Sequence, residues 1–167
     1  FVGGIAGQVS GGTFDRCFNG GTLHSTRGAG GIIGSVGSGL GAEVAISDCY
    51  NTGLIDAPNV WKTGNTTIQK AGGLVGEFAN VYDIAIRHCL SLGTLNNAVA
   101  ARYSDCEYLG YTLSPARVTL EGNYYDNQIV GNTSSQGGLS TATLTSGQSL
   151  EGLDANVWLF EEGMYPR

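Results

Sequence analysis

Positive charge is scarce in this chain. Eight Lys and Arg stand against fourteen Asp and Glu, for a net charge of −6, and only Lys62 and Lys70 are lysines. Binding a polyphosphate backbone needs a basic stripe, so nucleic acid is excluded as a partner. An anionic membrane surface is disfavoured for the same reason. Apolar runs are a few residues long, far short of the ~20 that a spanning helix requires, so membrane insertion is not expected. Histidine occurs only as His24 and His88, and no Ser-His-Asp spacing, G-x-S-x-G elbow or H-E-x-x-H pair surrounds them. Both read as surface histidines. No two of Cys17, Cys49, Cys89 and Cys106 have C-x-x-C spacing, which removes zinc knuckles and thioredoxin-type motifs. The glycine blocks lack the Gly-Lys-[Ser/Thr] ending of a phosphate loop and a following helix. Gly37 to Gly41 reads as a flexible tip. A signal segment is also missing. The chain opens in repeat-like sequence at Phe1, as expected of a piece of a longer precursor, so this absence says nothing of location.

Glycine is what the chain has in excess: 28 of 167 residues, about one in six against a usual ~7%. The hydrophobic share is 41%, enough to build a core and too high for a disordered linker. The glycines alternate with Ile, Val and Leu, so they punctuate strands. Three blocks repeat: Gly3-Gly4-Ile5-Ala6-Gly7, Gly30-Gly31-Ile32-Ile33-Gly34 and Gly72-Gly73-Leu74-Val75-Gly76. Each precedes a second block, running from Phe14 to Leu23, from Ile46 to Ile55 and from Ile86 to Leu95. A degenerate fourth copy runs from Asn123 to Val130, with Tyr124 in the cysteine slot. The extra length between copies falls in polar stretches such as Asp56 to Gln69, read as a bulging loop.

One strand–turn–strand unit cannot cover its own apolar face, but stacking on the next copy does. The expected fold is therefore all-β: a parallel β-solenoid, right-handed by the general preference of parallel crossovers, with a small C-terminal capping segment. Residues 1–137 form about four coils, the last degenerate, and residues 138–167 form the cap. Within each second block a large apolar residue (Phe14, Ile46, Ile86) lies three before a cysteine. Simple alternation would put such a pair on opposite faces, so the intervening Asp15-Arg16, Ser47-Asp48 and Arg87-His88 must form a bend. In the tail, Ser140-Thr141 reads as the start of a short helix to about Ser146. Val157 to Tyr165 reads as a hairpin. Trp158 is expected to be buried over the open end of the stack.

The blocks Gly72-Gly73-Leu74-Val75-Gly76 and Cys49-Tyr50-Asn51-Thr52-Gly53 resemble the GLUG repeat. The resemblance covers roughly residues 1–95 and weakly the remainder, where Leu139 to Ala142, Asn156 to Trp158 and Tyr165 to Arg167 are similar to the tail that often closes such arrays. It implies a segment of a large secreted or surface-anchored bacterial protein. Some IgA-specific metallopeptidases carry such repeats beside the catalytic domain. No repeat residue with a catalytic role is implied.

Candidate site residues are structural. Cys17, Cys49 and Cys89 share one repeat position, and an inward ladder of free thiols filling apolar space is expected. A metal site or an adjacent disulfide is the competing reading. Asn19, Asn51, Ser91 and Asp126 align as a second ladder that satisfies turn backbone, with a calcium or sugar contact as the competitor. No catalytic, metal or cofactor residue is assigned. A polysaccharide-active β-helix enzyme needs two spaced carboxylates or a base beside an acidic cluster. The only adjacent acidic pair is Glu161-Glu162, and Arg102 and Arg117 lie in the divergent region without a neighbouring acidic run. The expected function is thus a non-catalytic spacer or adhesion module, and the repeat resemblance implies that it works outside a bacterial cell, one such setting being an accessory domain of an IgA-specific metallopeptidase. Its expected partners are neighbouring domains of the same chain and a host protein or glycan. The alternatives are the β-helix enzyme and a glycan-binding module using the loops at Asn59–Gln69 and Val99–Ser114.

Overall fold

The computed structural model describes residues 1–37, 43–57, 61–63, 66–68, 71–78, 83–96, 109–112, 118–129 and 136–167. Cys106, Arg102, Arg117 and most of the two long loops lie outside the described residues. So do residues 38–42 of the glycine tip. Among the described residues the fold is all-β, with one four-residue helix.

Five sheets are purely parallel. Sheet I holds Val2–Gly3, Ala29–Gly30 and Ala71–Gly72. Sheet II holds Ala6–Val9, Ile33–Val36, Val75–Phe78 and Leu109–Thr112. Sheet III holds Gly12–Asp15, Val44–Ser47, Ile84–Arg87 and Val118–Glu121. Sheet IV holds Phe18–Asn19, Tyr50–Asn51, Leu90–Ser91, Tyr124–Asp126 and Gly138–Leu139. Sheet V holds Leu23–His24, Ile55–Asp56 and Leu95–Asn96. The chain thus visits sheets I to V in order, then returns to I and repeats. We call each circuit a pass. A short antiparallel pair, Trp61–Thr63 with Thr66–Ile68, stands apart. It occupies the polar stretch read from sequence as loop, where runs of threonine pair locally as strands.

Register follows the repeats residue for residue. Gly3, Gly30 and Gly72 pair across sheet I. Phe14, Ile46, Ile86 and Leu120 pair across sheet III. The inward positions of the second and third passes form one core, including Ile33, Val36, Val44, Ile46, Ile55, Val75, Phe78, Ile84 and Ile86, each at most 1% exposed. Each such side chain stabilises the fold by roughly 1.5–3 kcal/mol through area removed from water. Glycine is required where passes approach most closely. A Cβ at Gly31 would overlap the Gly73 carbonyl and the Asn51 side chain.

The bend needed between Phe14 and Cys17 is made by one residue per pass. Arg16, Asp48 and His88 adopt φ of 50°, 50° and 56°, and Gly122 continues the column at 59°. The left-handed region costs a non-glycine residue roughly 1–2 kcal/mol, so it persists only because bonding to the neighbouring pass imposes it. Arg16→Gly is expected to hold or raise the unfolding free energy by up to about 1 kcal/mol. Arg16→Val should lower it by about 1–2 kcal/mol, since a β-branched side chain tolerates this region least. Denaturant midpoints of the two variants check the sign of each.

Candidate functional site

The asparagine ladder lies on sheet IV. Asn51 is fully buried and Asn19 is 8% exposed. Asn51 Nδ2 donates to the Gly53 carbonyl at 3.1 Å, and its Oδ1 accepts from Gly53 N at 3.1 Å. Asn19 makes the same pair of bonds to Gly21. The rungs are joined by Asn19 Nδ2, which donates to Asn51 Oδ1 at 2.7 Å. Each asparagine closes its own turn, and Asn19 also holds the next pass. The third pass has Ser91 instead, too short to reach that turn. Its Oγ is buried with no hydrogen-bond partner among the described residues.

Cys49 and Cys89 are buried, Cys17 is half-buried, and all three are free thiols. They are more than apolar filler. After the left-handed corner, the next backbone N–H points toward the neighbouring pass and needs an acceptor. Cys17 N donates to Cys49 Sγ at 3.2 Å, and Cys49 N donates to Cys89 Sγ at 3.4 Å. The thiols in turn donate to the carbonyl two residues back, Cys49 to Ser47 at 3.1 Å and Cys89 to Arg87 at 3.1 Å. Burial pushes the Cys89 thiol well above its usual pKa, and burial likewise raises Cys17. Reactivity belongs to the exposed thiolate. A thiol reagent at neutral pH is therefore expected to modify Cys17 slowly, and Cys49 and Cys89 only on unfolding. Peptide mapping after a timed alkylation reads this order, and equal rates at all three would contradict it.

The fourth pass corrects the sequence alignment by one residue. Leu90 pairs with Tyr124 and Ser91 with Tyr125. The cysteine slot is therefore filled by Asn123, not Tyr124, and the asparagine slot by Tyr125, not Asp126. Gly122 at the corner sets this register. Asn123 Oδ1 accepts from Cys89 N at 2.9 Å, and its Nδ2 donates to the Ile86 carbonyl at 2.7 Å. It does the work of the thiol with better donor and acceptor atoms. An Asn directly after a Gly in the corner position was the available signal. Tyr125 is the large plug, 0% exposed, and Gly138 must be glycine because a Cβ there would lie 2.6 Å from the Tyr125 ring.

Asp126 instead anchors the tail. Its carboxylate is fully buried and accepts from Thr141 Oγ1 at 2.6 Å, Tyr165 OH at 2.7 Å, and the Gln128 and Ile129 amides. Burial alone would raise its pKa, but these four donors outweigh it and hold the carboxyl below the ordinary value. Burial and then the bond to Asp126 push the Tyr165 hydroxyl up to about 12. Asp126, with a depressed folded pKa, stabilises above its unfolded value near 3.8 and ceases to as pH falls through the folded value. Tyr165, with a raised folded pKa, stabilises fully below its unfolded value near 10 and ceases to as pH rises through about 12. Unfolding free energy against pH should therefore fall on both flanks. Tyr165→Phe should flatten the alkaline flank between pH 10 and about 12 and weaken the acid one only in part, since Asp126 keeps three of its four donors.

The tail runs along the side of sheet IV more than over the end of the stack. Gly138–Leu139 adds a fifth strand to that sheet. A helix follows at Thr141–Leu144, N-capped by Ser140 Oγ, which accepts from Thr143 N at 3.2 Å. The predicted hairpin is instead a loop. Leu159 and Arg167 exchange backbone bonds at 2.8 and 3.3 Å, and Met164 N closes a turn onto Glu161. Trp158 is 3% exposed, and it reaches back as far as the second pass. Its ring lies 5.6 Å from Tyr50, and its Nε1 donates to Asp48 Oδ1 at 3.1 Å. Leu144, Leu153 and Trp158 cover Leu90 and Leu92 of the third pass. Tyr124 OH donates to the Glu151 carbonyl. The tail is a clasp across three passes.

A cleft of about 200 Å³ opens where clasp meets corner column, lined by Arg16, Asp48, Tyr50, Val157, Trp158 and Arg167. Both guanidiniums already have carboxylates, Asp15 at 2.8 Å and Glu161 at 2.6 Å. His24 pairs with Asp56 at 2.9 Å on sheet V, while His88 sits in the corner column. No cluster of three or more His, Cys, Asp or Glu side chains that could hold a metal occurs among the described residues. No family model, curated protein or solved structure matches the chain.

Proposed function

We propose that the chain is a β-solenoid, right-handed as parallel crossovers generally are. In this reading it works as a rigid, non-catalytic spacer or adhesion module of a larger extracellular bacterial protein. An accessory domain of an IgA-specific metallopeptidase is one such setting, by resemblance of the repeat blocks. One observation carries the reading: cysteine, asparagine and corner residues each recur in register from pass to pass. Cys49, Cys89 and Asn51 accept bonds from the preceding pass, and the asparagines close their own turns, which stiffens the stack along its axis. The reading assigns no catalytic residue, metal or cofactor, and its partners are neighbouring domains of the same chain. A spin label on a folded domain fused at each end tests it. A narrow distance distribution, unchanged until the module unfolds, is expected, and a broad one would overturn the spacer role. The cleft with Tyr50 and Trp158 favours a second reading, a glycan-binding module. Retention on a glycan array that Tyr50→Ala abolishes would establish that reading instead.

A further inference from the structure

Every first-pass strand is an edge strand: Val2–Gly3, Ala6–Val9, Gly12–Asp15, Phe18–Asn19 and Leu23–His24 each end their sheet. In a parallel ladder alternate residues bond to opposite neighbours, so half of this pass's backbone groups face outward along one flat edge. We propose that this edge is a docking surface for one further rung of the same repeat, laid in parallel register. The proposal rests on the solenoid reading.

Side chains at the edge specify that occupant. Among the described residues, Asn19 Oδ1 accepts one hydrogen bond, from Gly21 N, where the same oxygen of Asn51 accepts two. The additional donor at Asn51 is an asparagine of the preceding pass, so an asparagine amide fits Asn19. Cys49 and Cys89 each accept an N–H from the preceding pass, whereas among the described residues none donates to Cys17 Sγ. Phe18 stacks on Tyr50 at 4.4 Å and is 50% exposed, so its other face suits an aromatic or aliphatic residue of the next rung. An amide, a backbone N–H and an apolar side chain in consecutive positions are what a Cys-aromatic-Asn block carries.

A second whole copy does not fit. Head to head, it would reverse strand direction and break the cysteine and asparagine columns. Head to tail, it would meet the added sheet IV strand Gly138–Leu139 and the clasp that follows it, which occupy that end of sheet IV.

The test duplicates residues 2–28 in tandem within the full chain. Val2 pairs with Ala29 and Gly3 with Gly30, so the copy should continue sheet I in register. The expected result is a melting temperature several degrees above that of a control whose inserted residues are shuffled. A single transition and slow amide exchange throughout the original first pass should accompany it. Equal melting temperatures with a freely exchanging insert would overturn the proposal. So would concentration-dependent dimerisation of the parent chain with protection appearing at its first pass, which would make a second copy the occupant. Exchange in the second and third passes separates the two readings. If those amides are unprotected the solenoid itself fails, and if only the insert is unprotected the docking edge alone fails.

Discussion

Replacing Trp158 with alanine is expected to lower the unfolding free energy by about 3–5 kcal/mol, a large part of a domain's stability. The indole is 3% exposed, packs on Tyr50, and gives its N–H to Asp48. Truncation would open a cavity over Leu90 and Leu92 and wet an apolar column. Trp158→Phe separates the contributions, since it keeps most of the ring and loses the donor. It should cost less than the alanine change by at least half. Equilibrium denaturation in urea measures both. A loss below about 1 kcal/mol for alanine would mean that the clasp is only loosely seated.

Asn51→Ala should cost a comparable amount, about 3–4 kcal/mol. Removing the amide takes one of two bonds from Asn19 Nδ2 and leaves Gly53 N and the Gly53 carbonyl without theirs in a buried turn. Each orphaned group costs roughly 1–3 kcal/mol, moderated where Asn19 can turn toward water. Ser91→Ala is the internal control on the same column. Its hydroxyl has no partner among the described residues, so alanine there should be neutral or slightly stabilising. If both substitutions cost the same, the column is held by shape and not by the asparagine hydrogen bonds.

Much of the arrangement could be read from spacing alone. The glycine blocks set the register of sheets I and II, and the three-residue interval from Phe14 to Cys17 demanded the corner that Arg16 makes. What escaped was set by distant contacts or by substitution at a key slot. Cysteine is a weak hydrogen-bonding residue, so its part in accepting corner amides is invisible until Asn123 is seen doing the same thing. The fourth copy hides its register because both landmarks change together, His88 giving way to Gly122 and Cys89 to Asn123. The direction of the tail depends on a contact 110 residues away in sequence, Trp158 to Asp48, and local pattern holds no record of it. Trp61–Thr63 and Thr66–Ile68 lack apolar alternation, so their sequence carries no strand signal.

A stack in which each layer touches only its neighbours behaves as a one-dimensional chain of coupled units and frays from its ends. The clasp breaks that rule. Leu139 is joined to the fourth pass through Asp126, while Trp158 is fixed to the second at Asp48. The last layer cannot peel away without also releasing a contact two layers down. This second-neighbour coupling should convert gradual terminal melting into an all-or-none transition. The carboxyl end would then be the cooperative end of the molecule, and the open first pass the place where melting begins.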